Sequence, residues 1–332
     1  MRIVIDTDPG LGEPGSDIDD GLAIALALRS PELTVEALTI VNGNVDLPTG
    51  VDVARRLTAR LGYPDLPVLA GAATPLVREM EPVRALFDRV LGARNAPPPD
   101  RLGPTSTQPA AEYLVQLAAA SPGEITVVAI GPLTNVAEAL RLDSAFAGNV
   151  AEIVMMAGSA TGYAQNVTPV GDFNAYVDPE ALAEVLASGA ELTLIGIDQT
   201  SQVMLSRADA VTLRSGDEFA GWVADCTEAW IDFLAKAFPA RPEHQDACFL
   251  HDPLVIAAVI DRRLCGWAPA HVSTVIDSEL ARGLVIADRG LALAPAPGAP
   301  NATVAISTDV AGFRRLVLPR LASSPERPVA LG

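Results

Sequence analysis

The stretch "DTDPGLGEPGSDIDD" places Asp6, Asp8, Asp17, Asp19, Asp20 and Glu13 within fifteen residues. It leaves an apolar strand-like run, "RIVID", and enters an apolar helix-like run, "DDGLAIALALRS". Acidic side chains suit a helix N-terminus through capping and the macrodipole, and that explains one or two of them. It does not explain four, because two carboxylates 4 Å apart repel by about 4 kcal/mol at an effective dielectric near 20. A hard cation resolves the conflict. Ca²⁺ takes roughly six to eight oxygen ligands and accepts carboxylate, carbonyl and water donors together. A metal at the carboxyl end of a strand still allows several chemistries.

The elements that would hold these groups follow from hydrophobic periodicity. Apolar, β-rich runs recur at "RIVID", "LTVEALTIV", "LPVLAG", "EITVVAIG", "AEIVMMAG" and "ELTLIGI". Between them lie segments of helical period: "DDGLAIALALRS", "TGVDVARRLTARLG", "PAAEYLVQLAAA", "PLTNVAEALRL" and "DPEALAEVLASG". Continuous apolar strands alternating with helices predict an α/β fold, a single open, mostly parallel sheet with helices on both faces. Ligands in such sheets bind beyond the carboxyl ends of the strands, where the polar motifs fall. From about residue 206 to 262 the alternation gives way to a helical segment, and "VSTVID", "GLVIAD" and "ATVAIST" add strands before a last helix. "GARNAPPPDRLGPTSTQPA" reads as a long surface loop. No composition break divides the chain, so residues 1–332 are expected to form one domain.

Composition narrows the partners. The net charge is −18 and Lys236 is the only lysine, which excludes a basic patch for nucleic acid. No apolar run reaches the roughly 18 residues needed to span a bilayer, and no secretory leader opens the chain. The expectation is a soluble, cytoplasmic protein without membrane partners. Cys226, Cys248 and Cys265 form no metal or disulfide spacing and are expected to be buried thiols.

"DTDPG" after a strand is similar to the start of haloacid-dehalogenase-type phosphatases, but that chemistry needs a downstream basic residue for the phosphoryl group, and Lys236 follows no suitable strand. The wider pattern resembles another family. "DTDPG" with an Asp-Asp pair, "LTIVNGNV", "IGPLTNVAEAL", "EIVMMAGSA", "NVTPVGDFNAYVDPEA" and "FLHDPLVIAAV" occur in the order found in inosine-uridine type nucleoside hydrolases. The resemblance implies hydrolysis of the N-glycosidic bond of ribonucleosides, with Ca²⁺ holding the attacking water and the ribose diol. It implies Asp8 as general base and metal ligand, with Asp20, the Thr134 carbonyl and Asp252 completing the metal set. Asp19, Asn44, Met156, Asn166, Asp172 and Asn174 match ribose-contacting positions, and His251 matches a general acid for the leaving base. Homodimers or homotetramers are implied by the same analogy.

Two features depart from that pattern. The insert "LGEPGSDI" adds seven residues between the first acidic motif and the Asp pair; it is expected to loop out over the site mouth, with Asp17 outside the metal shell. Asp172 stands where glutamate is usual. Base preference does not transfer, and packing is favoured over base stacking as the role of Trp230. The competing readings are hydrolysis of another N-ribosyl compound, such as nicotinamide riboside or a modified nucleoside, and non-catalytic binding of ribose or Ca²⁺.

Overall fold

The computed structural model describes residues 1–81, 83–85, 100–161, 166–294 and 298–323. Strand β1 (Arg2–Thr7) lies inside a nine-stranded sheet, flanked by β2 (Thr34–Ile40) and β4 (Ile125–Ala129), both parallel to it. Outward from β2 comes β3 (Val68–Ala70). Outward from β4 come β5 (Glu152–Met156), β6 (Leu192–Ile195) and β11 (Ala302–Thr308), still parallel. The antiparallel strands β9 (Cys265–Thr274) and β10 (Val285–Asp288) finish that edge. The mostly parallel α/β sheet read from the sequence is therefore present.

Along β1 the side chains alternate between two apolar layers. Ile3 and Ile5 face the layer that holds Leu22, Ile24, Val51, Ile231, Leu254 and Phe313, while Val4 faces Ala110, Leu114, Val136 and Leu182. All three β1 residues are fully buried, each contributing about 1.5 to 3 kcal/mol of transfer free energy. The first layer is built by α1 (Asp19–Leu28), α2 (Leu47–Arg60), α10 (Glu218–Ala237), α11 (His251–Ile260) and α12 (Val310–Ala322). The second is built by α3 (Ala110–Ala120), α4 (Thr134–Leu142) and α7 (Pro179–Leu186). The short helix α5 (Phe146–Asn149) lies between α4 and β5, α6 (Phe173–Val177) lies between β5 and α7, α8 (Ile197–Thr200) follows β6, and α9 (Arg207–Leu213) precedes α10.

The segment read as helical from 206 to 262 contains a short antiparallel pair as well. Strand β7 (Met204–Ser206) pairs with β8 (Ala247–Phe249), which three-residue strands give no periodicity to announce. The helical run from Arg207 also breaks between Leu213 and Glu218. A Cβ on Gly216 would lie 2.1 Å from the Ala322 carbonyl, and Asp217 caps α10 by accepting the Ala220 amide. Strand β9 begins earlier than the "VSTVID" run, since Gly266 and Pro269 mask its strand character. The expected loop from 92 lies outside the described residues as far as 99; residues 100–109 are irregular and mostly exposed.

The carboxyl ends of the central strands are tied by Asn135. Its Nδ2 donates to Asp6 Oδ1 at 2.7 Å and to the Ile40 carbonyl at 3.2 Å, while its Oδ1 accepts the Ala72 amide at 2.7 Å. Replacing it takes from the buried Asp6 carboxylate one of its two donors and from the Ala72 amide its acceptor. Asn135→Ala is expected to lower unfolding free energy by about 3 kcal/mol in urea titration, with an unchanged m-value.

Candidate active site

Site geometry begins where β1 ends and the sheet order reverses, with β2 on one side and β4 on the other. Asp6 turns inward: its Oδ1 accepts from Thr39 Oγ1 at 2.6 Å and from Asn135, and burial raises its carboxyl to about 7. Asp8, two residues on, reaches the opening. The Asn44 amide donates to Asp8 Oδ2 at 2.7 Å. Glycine is required on both flanks, because a Cβ on Gly43 would lie 1.9 Å from Oδ2 and one on Gly131 2.6 Å from Oδ1.

Helix α1 supplies the next two carboxylates from its first turn. Asp20 Oδ1 accepts from the Thr7 hydroxyl and from the Asp8 amide, and Oδ2 accepts from Asn44 Nδ2 at 2.9 Å. Asp19 Oδ1 accepts the Asp20 amide at 3.1 Å, and Oδ2 accepts the Asp252 amide at 3.4 Å. That last bond joins α1 to α11, so two helix N-termini converge on the same acidic group. Oxygens of Asp19, Asp20 and Asp252 lie within 4.8 Å of one another. The Asp252 carboxylate accepts no hydrogen bond from the described residues. Burial pushes Asp8, Asp19 and Asp252 well above the usual carboxylate range, and the neighbouring aspartates push them further.

One cleft collects Asp8, Asp17, Asp19, Asp20, Asn44, Ile130, Met156, Asn166, Phe173, Asn174, His251 and Asp252. Asn174, in α6, donates from Nδ2 to the carbonyls of Ile130 at 2.7 Å and Met156 at 3.0 Å. His251, the first residue of α11, has its Nδ1 at 2.8 Å from Thr200 Oγ1, and burial lowers its imidazole to about 4. Asn166 is exposed at the rim.

Two residues singled out from the sequence lie elsewhere. Thr134 is fully buried and opens α4; its hydroxyl donates to Asp178 Oδ2 at 2.8 Å and accepts from Asn42 Nδ2 at 3.4 Å. Its carbonyl, at a helix start, is directed to the amide four residues on. Asp172 caps α6: its Oδ1 accepts the Gly158 amide at 2.7 Å and the Ala175 amide at 3.3 Å, and burial raises its carboxyl to about 6. Sequence reasoning missed Ile130 and Phe173. An isoleucine just beyond a strand carries no polar signal, whereas Phe173 stands beside Asn174 in "GDFN".

The insert is anchored rather than free. Leu11, Ser16 and Ile18 are buried, Gly12 and Gly15 adopt φ of 92° and 70°, and the space beside Gly12 is filled by Trp222. Gly12 and Pro14 are exposed, while Asp17 lines the cleft with Oδ1 accepting the Ile18 amide at 2.6 Å. Neither Trp222 nor Trp230 lines it; Trp230 stacks on Phe233 with ring centroids 5.2 Å apart. Cys248 and Cys265 are buried free thiols and Cys226 is half-buried. No helix among the described residues is long and apolar enough to cross a membrane.

Residues 3–315 match the family described as inosine-uridine preferring nucleoside hydrolase. The chain belongs to that family. Uridine nucleosidase 1 of Arabidopsis thaliana is 34% identical over 327 residues, covering 96% of this chain and 93% of the relative. The pyrimidine-specific ribonucleoside hydrolase RihA of a Shewanella strain is 34% identical over 330 residues, covering 96% of each. A solved plant nucleoside hydrolase, PpNRh1, superposes with a TM-score of 0.82 at 32% identity over 97% of this chain and 98% of that one. The chain is thus a nucleoside hydrolase, and the acidic cleft lies where such sheets bind ligands.

The donor set of this hydrolase fits a hard divalent cation. Every clustered ligand atom is oxygen, the carboxylates are buried together, and the Asp252 carboxylate accepts no hydrogen bond among the described residues. Calcium added to chelator-treated protein is expected to raise the melting temperature by a few degrees, since ligand at about 100 times its dissociation constant adds about 2.7 kcal/mol. Asp20→Asn and Asp252→Asn should lose most of that rise in scanning calorimetry. Asp17→Asn should keep it.

Proposed function

We propose that the protein is a Ca²⁺-dependent ribonucleoside hydrolase that prefers pyrimidine nucleosides, uridine first. The observation that carries the reading is the meeting of Asp19, Asp20 and Asp252 beside Asp8, Asn44, Asn174 and His251 in one cleft. Asp8, Asp20 and Asp252 would hold the ion, with Asp19 beside them. The backbone oxygen would come from Ile130, which lines the cleft, rather than from Thr134, which does not. Bound there, Ca²⁺ supplies a Lewis-acid charge that acidifies water and anchors vicinal hydroxyls.

The chain's own groups do the rest. Asp8 is held by Asn44 and fenced by Gly43 and Gly131, so its carboxylate stays aimed into the cleft to take a proton from the attacking water. The water adds to the anomeric carbon on the face away from the base as the C–N bond lengthens and positive charge develops on the ribosyl ring. Asn174 spends both amide hydrogens on the Ile130 and Met156 carbonyls, which leaves its Oδ1 to accept from a sugar hydroxyl. Asn44 and Asn166 add polar contacts, and Met156 and Phe173 give the apolar floor. A site built around hydroxyl hydrogen bonds discriminates strongly against substrates lacking them, so ribose is favoured over deoxyribose.

The pyrimidine preference rests on the relatives: a uridine nucleosidase of Arabidopsis thaliana, a probable uridine nucleosidase of Oryza sativa and pyrimidine-specific hydrolases of bacteria are 32 to 37% identical to this chain. Cytoplasmic residence and a role in nucleoside salvage accompany the proposal, as does a single domain over residues 1–332.

Ribose release from uridine, cytidine, inosine and adenosine tests it. Uridine and cytidine should exceed the purines by at least about tenfold in kcat/KM, a gap of about 1.4 kcal/mol. Chelation should abolish turnover and calcium restore it. Asp8→Ala should lose about a thousandfold or more in kcat with its melting temperature retained. Near-native turnover in that variant would remove Asp8 as the base.

A further inference from the structure

Thr200 closes the short helix α8 just beyond β6 and is fully buried. A helical threonine hydroxyl commonly turns back to the carbonyl four residues earlier. Here the Gly196 carbonyl already accepts the amides of Gln199 at 2.9 Å and Thr200 at 3.1 Å, and the Thr200 hydroxyl has one polar neighbour among the described residues, Nδ1 of His251 at 2.8 Å. The hydroxyl proton therefore has Nδ1 as its acceptor. A ring nitrogen that accepts carries no proton, so a neutral His251 bears its hydrogen on Nε2. Nε2 has no protein partner among the described residues, and His251 lines the cleft. Phe249 packs against the ring with centroids 5.3 Å apart, so the ring is held at its face as well as at Nδ1.

We propose that Thr200 is a positioning residue for catalysis: it fixes the tautomer and angle of His251 so that Nε2–H is a standing hydrogen-bond donor to the departing base. The proposal rests on the nucleosidase reading and changes the histidine's part in it. As the C1′–N bond breaks, its electron pair passes to the base and negative charge spreads onto the conjugated carbonyl oxygen. The Nε2–H hydrogen bond stabilises that charge without giving up its proton. The base leaves as an anion and takes its proton from solvent water, while the proton of the attacking water goes to Asp8.

The experiment uses the full chain with calcium and compares Thr200→Val and Thr200→Ser on uridine and on p-nitrophenyl β-D-ribofuranoside, whose leaving group needs no such help. Thr200→Val should lower kcat for uridine by about 10- to 100-fold, the range seen when a supporting partner is lost. KM, and turnover of the nitrophenyl riboside, should stay within about threefold, and Thr200→Ser should recover most of the uridine rate. Nitrogen-15 NMR of the three histidines, with His251→Gln for assignment, should show His251 protonated on Nε2 in the wild type. Wild-type uridine kinetics in Thr200→Val, equal losses on both substrates, or a proton on Nδ1 would each overturn the proposal alone. Wild-type protein inactive on every riboside would overturn the nucleosidase reading and this role with it.

Discussion

Mutual repulsion of buried carboxylates governs this molecule. Asp8, Asp19, Asp20 and Asp252 are each nearly withdrawn from water and crowded at one end of the sheet. Nothing in an apolar core tolerates that without compensation. Partial compensation is visible in the protein itself: the Asn44 amide and side chain, the Thr7 hydroxyl and the Asp8 and Asp252 amides all donate into the group. The positive ends of α1 and α11 add to it. What they leave over is a pronounced affinity for positive charge at one spot, and the catalytic arrangement is organised around that spot.

A rigid frame is needed to hold like charges so close. Strand β1 is paired on both sides and buried on both faces, so Asp8 issues from one of the least deformable places in the fold. Gly43 and Gly131 let two other chain segments close upon its carboxylate, which keeps the side chain from swinging away from its neighbours. The Asn135 bonds fasten the ends of β1, β2 and β3 to α4 behind it. Activity and stability thus draw on the same few buried polar contacts.

Much of this was legible in the residues. Continuous apolar strands fixed the parallel sheet, and the excess of acid over what a helix start can use pointed to the cation before any coordinates did. Asn44, Asn174, His251 and Asp252 could be joined to Asp8 and Asp20 through the resemblance to nucleoside hydrolases, whose motifs occur here in family order. Other features were hidden for physical reasons. Ile130 lines the cleft from just beyond β4, and an isoleucine there carries no polar signal in the sequence. Asp172 in "GDFNAYV" satisfies a short helix start, and a carboxylate poised to cap looks the same in one dimension as one poised to bind. Thr200 acquires meaning only through a partner 51 residues away. The hairpin of β7 and β8 is too short to impose a period on the sequence.

The bond between the Asp252 amide and Asp19 spans 233 residues of chain. Its two ends are α1, the first helix, and α11, the last but one, so Asp252 can join the acidic group only after β1 to β8 have been synthesised. Contacts of such range form late, since loop closure must be met before they return anything. Asp8, Asp19 and Asp20 are close together in the sequence, and Asp252 is the one carboxylate of the four that must be brought to them across the length of the chain. An ion bound there would tie the two ends of the chain together and would act as a clasp on the finished fold.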